Sequence, residues 1–224
     1  MPREFSRKAG DSLQKKLPVE ASVKDERLIK IRREQIVRAA ITLFKEKGFH
    51  RTTTREIASI SGFSIGTLYE YIRTKEDILY LVCDEIYDEV QSKMQEMIAG
   101  ESGTNATTLK AAIKAYFRIM DDLQDEVLVM YQEAKSLPKK HLRYVLQKEL
   151  QMVQLFKPLI ANFLRERNIT RPEREITLLA HNLVIQGQMW AFRRWALQKL
   201  YTLDEYIHLQ TTHFFGAIQK NHQQ

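Results

Sequence analysis

The 224-residue sequence predicts an all-α protein of about nine helices: a small N-terminal three-helix module, then a larger helical domain. Three observations carry that expectation. Apolar residues recur at helical spacing from Ile36 to Ile218. No stretch alternates apolar and polar residues as a half-buried strand does. Helix ends are marked by Thr and Ser caps, Gly stops and Pro breaks. The expected boundaries are a flexible basic arm at 1–24, the three-helix module at 25–74 and the larger domain at 75–224.

The arm is polar, with Arg3, Arg7, Lys8, Lys15 and Lys16 beside Gly10 and Pro18. The first helix starts at Lys24 or Leu28 and ends at Lys47, with Ile36, Ala40, Leu43 and Phe44 on one face. Gly48 stands where a C-cap glycine belongs, and Lys45 and Lys47 suit the negative end of the helix dipole. Thr53 and Glu56 make a capping box, each side chain taking the other's free backbone N–H. A short second helix follows on Ile57, Ala58 and Ile60. Gly62 tolerates φ > 0 and stops it. Ser64 caps a third helix at about Ile65 to Tyr71, and Thr74 to Asp77 repeats the cap for a fourth. Two short helices joined by a tight Gly turn are the helix-turn-helix layout, whose second helix fits the major groove of DNA.

The residues there suit the task. Ser64, Gly66 and Thr67 are small enough for close approach, with Ile65 among them. Tyr69 and Tyr71 carry hydroxyls that reach phosphates. Thr53, Thr54 and Arg55 open the second helix. Lys75 opens the fourth, where its ammonium and the helix dipole would face a phosphate together. The bland alternative is an ordinary helix-helix corner with the same caps.

From Gln35 to Leu79 the sequence resembles the N-terminal domain of the tetracycline-repressor (TetR) family of transcriptional regulators. Ile36, Ala39, Ala40, Leu43, Phe44, Gly48, Thr53, Thr54, Ile57, Ala58, Gly62, Ser64, Gly66, Thr67, Tyr69, Tyr71, Lys75, Glu76 and Leu79 carry the resemblance. Ile72 stands where the family usually has Phe, and Phe63 where it has Val or Leu. The resemblance implies a homodimeric repressor of a double-stranded DNA operator, released by a small-molecule effector. The last two helices would pair across a two-fold axis into a four-helix bundle.

Charge distribution agrees. The net charge is +7; residues 1–75 hold 17 Lys and Arg against 9 Asp and Glu, while the remainder is at −1. A polyanion-binding module is thus joined to a near-neutral one. The arm is either a solvated tail or a segment that follows DNA phosphates or a minor groove. The one cysteine, Cys83, makes no intrachain disulfide or thiolate metal site, and its apolar neighbours favour a buried, inert thiol. No apolar run reaches membrane-span length and the N-terminal residues lack the apolar region of a signal peptide, so a cytoplasmic setting without membrane contact is expected. The six histidines lack metal spacing, and no phosphate loop or nucleophile elbow is present. No metal, cofactor or catalytic activity is expected.

The larger domain reads as a fourth helix from Lys75 to about Ile98, a fifth from Thr107 to Asp121 and a sixth from Gln124 to Lys135. A seventh spans Lys139 to Arg167, kinked or split at Pro158. An eighth runs from Arg171 to Gln198 and a ninth from Leu203 to Lys220. Met94, Tyr116, Phe117, Met120, Met130, Tyr131, Met152, Phe156, Met189 and Trp190 are the soft and aromatic residues that line adaptable apolar pockets, and equally those of ordinary cores. Gln186, Gln188 and His181 sit inside an apolar run and need partners. Gly187 and Ala191 permit close helix approach. Arg193 and Arg194 either complement the eighth helix's dipole or form an anion site at a pocket mouth. The second option implies an amphipathic effector such as a fatty acyl-coenzyme A. The competing functional class is an all-helical carrier of apolar ligands without specific DNA binding. The third helix, with small and hydroxyl residues, separates the two.

Overall fold

The computed structural model describes residues 16–99 and 104–220. Most of the expected arm, residues 1–15, lies outside the described residues. Ten α-helices follow one another: α1 Glu26–Arg51, α2 Thr54–Ile60, α3 Ile65–Tyr71, α4 Lys75–Ala99, α5 Asn105–Asp122, α6 Gln124–Glu133, α7 Lys139–Glu166, α8 Glu173–Phe192, α9 Arg194–Leu197 and α10 Leu203–Lys220. A single 3-10 turn, Ala134–Ser136, joins α6 to α7. Among the described residues there is no strand, and no helix is long and apolar enough to cross a membrane.

The caps fall where local chemistry puts them. Asp25 accepts from Leu28 N–H at 3.0 Å, Thr53 and Glu56 close the capping box, and Ser64 accepts from Thr67 N–H at 3.0 Å. Gly62 has φ +76° and Gly48 φ +79°. Gly48, with ψ 163°, leaves the helical conformation and kinks α1 where the C-cap glycine is expected. A further turn runs to Arg51 and buries Phe49 edge-on against Phe44, ring centres 5.4 Å apart. Thr104, which accepts from Thr107 N–H, caps α5 earlier than expected. Lys45 and Lys47 do not serve their own helix end: Lys45 pairs with Asp125 and Glu126, Lys47 with Glu56. Helical side chains lean toward the N-terminus, so lysines one turn from the end point away from its last carbonyls.

Two more expectations change. α7 stays one helix through Pro158, an exposed residue, and is not split there. α8 stops at Phe192 and restarts as α9, although no Gly or Pro is there. Ties to the α5–α6 corner flank the break. Trp190 Nε1 donates to Asp121 at 2.7 Å, and Arg194 pairs with Asp125.

Two apolar cores result. One holds α1 to α3 and the first half of α4, and also takes in Val129 and Met130 of α6 and Tyr144 and Val145 of α7. The three-helix module thus shares its core across the expected boundary at residue 75. The second core joins α5, most of α7, α8 and α10, with Val90 and Met94 from the far end of α4. α4 therefore belongs to both. Residues 16–25 are not a free arm. They run extended across the module, with Leu17, Val19 and Val23 against its core.

Candidate nucleic-acid interface and effector core

α3 has two sides. Leu68 and Tyr71 enter the core, while Ser64, Ile65, Gly66 and Tyr69 are exposed and Thr67 is half-buried. The outer surface is small and hydroxyl-bearing. Ser64 and Thr67 hydroxyls lie 2.9 Å apart, and Tyr69 Oη is 3.2 Å from Thr54 Oγ1, which aims the ring outward. Thr53 and Arg55 are exposed beside it. Glu56 accepts from the Lys47 ammonium and from the Thr53 N–H and hydroxyl, and these hold its carboxyl down at about 2. The cap is therefore ionised at neutral pH.

Two residues behave otherwise than expected. The Tyr71 ring is buried against Phe63, 6.4 Å between centres, because the helical period turns it inward with Leu68. Lys75 does open α4, but its ammonium donates to the Phe49 and Thr52 carbonyls at 2.9 and 3.0 Å and sits 4.2 Å above the Phe49 ring. It closes the end of α1, where the Phe49 carbonyl also accepts from the Thr52 N–H at 3.2 Å.

In the larger domain Met94, Tyr116, Phe117, Met120, Met152, Phe156 and Trp190 do come together, all buried in the second core. They close on one another. Tyr116 lies edge-on to Phe156 at 5.5 Å, and Trp190 lies 5.0 Å from Tyr206. Met189 is half-buried at the edge. Met130 belongs to the other core because its face of α6 turns toward α1 and α4. Tyr131 is exposed and stacks on Phe192 at 4.2 Å. Gln186 accepts the Tyr206 hydroxyl through its carbonyl at 2.7 Å, while its side-chain Oε1 is buried without a partner. Gln188 finds Glu149 at 3.3 Å, where Tyr87 also donates. Arg193 lies exposed over the Trp195 ring, and Arg194 is engaged by Asp125, so only the first is a free cation. Burial pushes the Cys83 thiol up to about 12.

Sequence reasoning missed one buried polar cluster. Asp84, 1% exposed, accepts from Tyr144 Oη at 2.9 Å and pairs with Lys148 and Lys16. Burial alone would raise its pKa, but the two lysines outweigh it and hold the carboxyl below its ordinary value. The available signal was a carboxylate inside the apolar run ILYLVCDEIY. Open grooves lie elsewhere: one of about 500 Å³ between residues 16–19, α1 and α4, and one of about 580 Å³ between α5 and α10.

This fold and this outward-facing α3 define a helix-turn-helix DNA-binding protein. Residues 36–80 match the family described as bacterial regulatory proteins, tetR family. This N-terminal segment is a domain of that family. The chain is 29% identical over 189 residues to the HTH-type transcriptional regulator HbdR of Aromatoleum sp. (strain CIB), covering 84% of this chain and 81% of that protein. A tetR-family regulatory protein from Rhodococcus RHA1 has the same fold, with TM-score 0.68 and 24% identity over 80% of this chain and 95% of that one. So does AibR, solved in complex with isovaleryl coenzyme A and operator DNA, with TM-score 0.66 and 16% identity over 81% and 96%.

Proposed function

We propose that the protein is a ligand-responsive transcriptional repressor of the cytoplasm. It binds a palindromic operator as a homodimer and lets go when a small apolar or amphipathic effector binds. The observation that carries this is the exposed face of α3, whose apolar half is already spent on its own core. Ser64 and Thr67 stand where base edges would be read. Thr53, Thr54, Arg55, Ile65, Gly66 and Tyr69 surround them, with the Tyr71 hydroxyl and Lys75 at the margin. The dimer uses α8 and α10. Leu178 and Ile185, two turns apart on α8, and Leu209 on α10 are large apolar residues left exposed by the chain's own packing. A second copy covers them across a two-fold axis.

The effector enters the core around Met94, Tyr116, Phe117, Met120, Met152, Phe156, Gln186 and Trp190, with Met189 at its edge and Met130 and Tyr131 behind α6. That core is closed here, so binding must open it and shift α4. The two recognition helices, set for half-sites about 34 Å apart, then no longer seat together. A fatty acyl-coenzyme A is the leading candidate, its anionic end near Arg193 and Arg194. Support comes from AibR, whose complex contains an acyl-coenzyme A. The competing reading, a carrier of apolar ligands, leaves the hydroxyl face of α3 without a use.

Retardation of DNA duplexes enriched from a random pool tests the first part. Affinity should fall with salt, and the log–log slope should flatten by about 1 for each phosphate-contacting cation removed. Salt-independent or absent retardation would favour the carrier. Long-chain acyl-coenzyme A and the free acid, titrated into the complex, test the effector. Release by neither at micromolar levels refutes the acyl proposal alone. Coupling is reciprocal, so the operator must weaken effector affinity by the same factor.

A further inference from the structure

α3 has seven residues, and helices shorter than about 12–15 residues are marginal alone in water. Its last carbonyls have no N–H within the helix. Two are satisfied from outside. Ser22 N–H donates to the Glu70 carbonyl at 2.8 Å, and Arg33 Nε donates to the Tyr71 carbonyl at 3.0 Å. Arg33 uses its Nη2 on the Val19 carbonyl at 2.7 Å, and Arg73, just past α3, pairs with Glu20. One end of the extended segment therefore holds the end of the recognition helix.

Its other end is fastened elsewhere. Leu17 N–H donates to Tyr80 Oη at 3.0 Å, and that hydroxyl returns a bond to the Leu17 carbonyl at 3.3 Å. Lys16 pairs with Asp84. Both acceptors are themselves held by α7: Tyr80 stacks on His141 at 4.4 Å, and Asp84 takes Tyr144 Oη and Lys148. An open groove flanks residues 16–19, and Leu17, Val19 and Val23 pack on the module's core, so the segment is held by polar ties and apolar contacts together.

We infer that residues 16–23 are a positioning strap, which ties the C-terminal carbonyls of the recognition helix to α7 through Tyr80 and Asp84. It is a second connection, besides the short α3–α4 turn, between the end of the recognition helix and the stretch of α4 that α7 packs against. α7 carries Met152 and Phe156 into the effector core, about one and two turns beyond Lys148. A shift of α7 that displaces the Tyr80 and Asp84 side chains of α4 reaches the end of α3 through the strap. The regulatory half rests on the effector reading above; the positioning half does not.

Three variants test it. Tyr80→Phe removes both Leu17 hydrogen bonds and keeps the ring against His141. Lys16→Met removes the strap's charge from Asp84 and leaves Lys148 there. Lys148→Met, made together with Tyr144→Phe, cuts the α7 side at Asp84. The readouts are amide hydrogen exchange of Leu68 to Ile72, with the α5 and α8 amides as internal reference, and affinity for a wild-type-enriched duplex. Each variant should speed α3 exchange by about threefold to tenfold relative to the reference, the worth of one hydrogen bond. Affinity should fall by a similar factor at unchanged sedimentation mass. A Ser22 amide that exchanges freely while α3 stays at the wild-type rate would make the strap a passive cover and overturn the inference. So would α3 exchange that rises only in step with α5 and α8. The Lys148→Met, Tyr144→Phe variant without effect on α3, where Lys16→Met acts, overturns the link to α7 at Asp84. A failure to enrich any duplex would count against DNA binding and leave the exchange result standing.

Discussion

Gly187 marks a close helix approach in the larger domain. It lies mid-helix in α8, and a Cβ there would meet Tyr116 Cε1 at 2.4 Å, Tyr116 Cδ1 at 2.7 Å and Phe117 Cδ1 at 3.1 Å. The Tyr116 ring cannot yield cheaply. It is 1% exposed, lies edge-on to Phe156, and its hydroxyl donates to the Val184 carbonyl at 3.3 Å. Gly187→Ala gains about 1 kcal/mol of helix propensity. Overpacking a full core costs about 1–3 kcal/mol, and a contact well inside van der Waals distance takes the upper end. The net loss is about 2 kcal/mol, or roughly 4–8 °C in Tm for a domain of this size. Gly216→Ala is the control, since no atom lies within 4 Å of its Cβ position in α10. It should gain up to about 1 kcal/mol. Urea and thermal unfolding at one protein concentration measure both. Should Gly187→Ala match Gly216→Ala, Tyr116 has room to turn, and the closed effector core argued above is wrong.

Lys75→Met removes the donor to two α1-end carbonyls, and hydrogen bonds of charged groups contribute about 1.5–3 kcal/mol, so the urea midpoint should drop even without DNA. An unchanged midpoint would leave phosphate contact as its main role. Glu56→Gln keeps the N3 acceptor of the capping box but removes the charge. The folded pKa of Glu56, about 2, lies below that of an unfolded Glu, so its stabilisation is present above the unfolded value and lost as pH falls toward 2. The variant should therefore lose less stability than wild type between about pH 4.5 and 2, and equal slopes in acid titrations would contradict the assignment. Ile185→Glu, at an exposed α8 position, should reduce the sedimentation mass to a monomer's with the fold intact. Phe214→Glu is not the same test: Phe214 is 5% exposed within the second core, so that variant should unfold.

The sequence by itself determined what a few neighbouring residues decide. The Thr53–Glu56 box, the Ser64 cap and the positive φ at Gly62 are local hydrogen bonds and local sterics, written within four residues of where they act. Helical period placed Leu68 inside and Ser64 outside on α3 in the same way, and it grouped Tyr116, Phe117 and Met120 on one buried face of α5. Only the tertiary structure decided where long side chains and charges went. Lys75 reaches 26 residues back to Phe49, Tyr80 fixes Leu17 across 63, and Asp84 meets Tyr144 across 60. It also laid residues 16–23 against the three-helix module and ended α8 at Phe192, where partners on other helices prevail over the local preference. A cap needs only its own turn of chain. A buried carboxylate or a free carbonyl needs whichever donor the packing brings near, and that is set by how the helices cross.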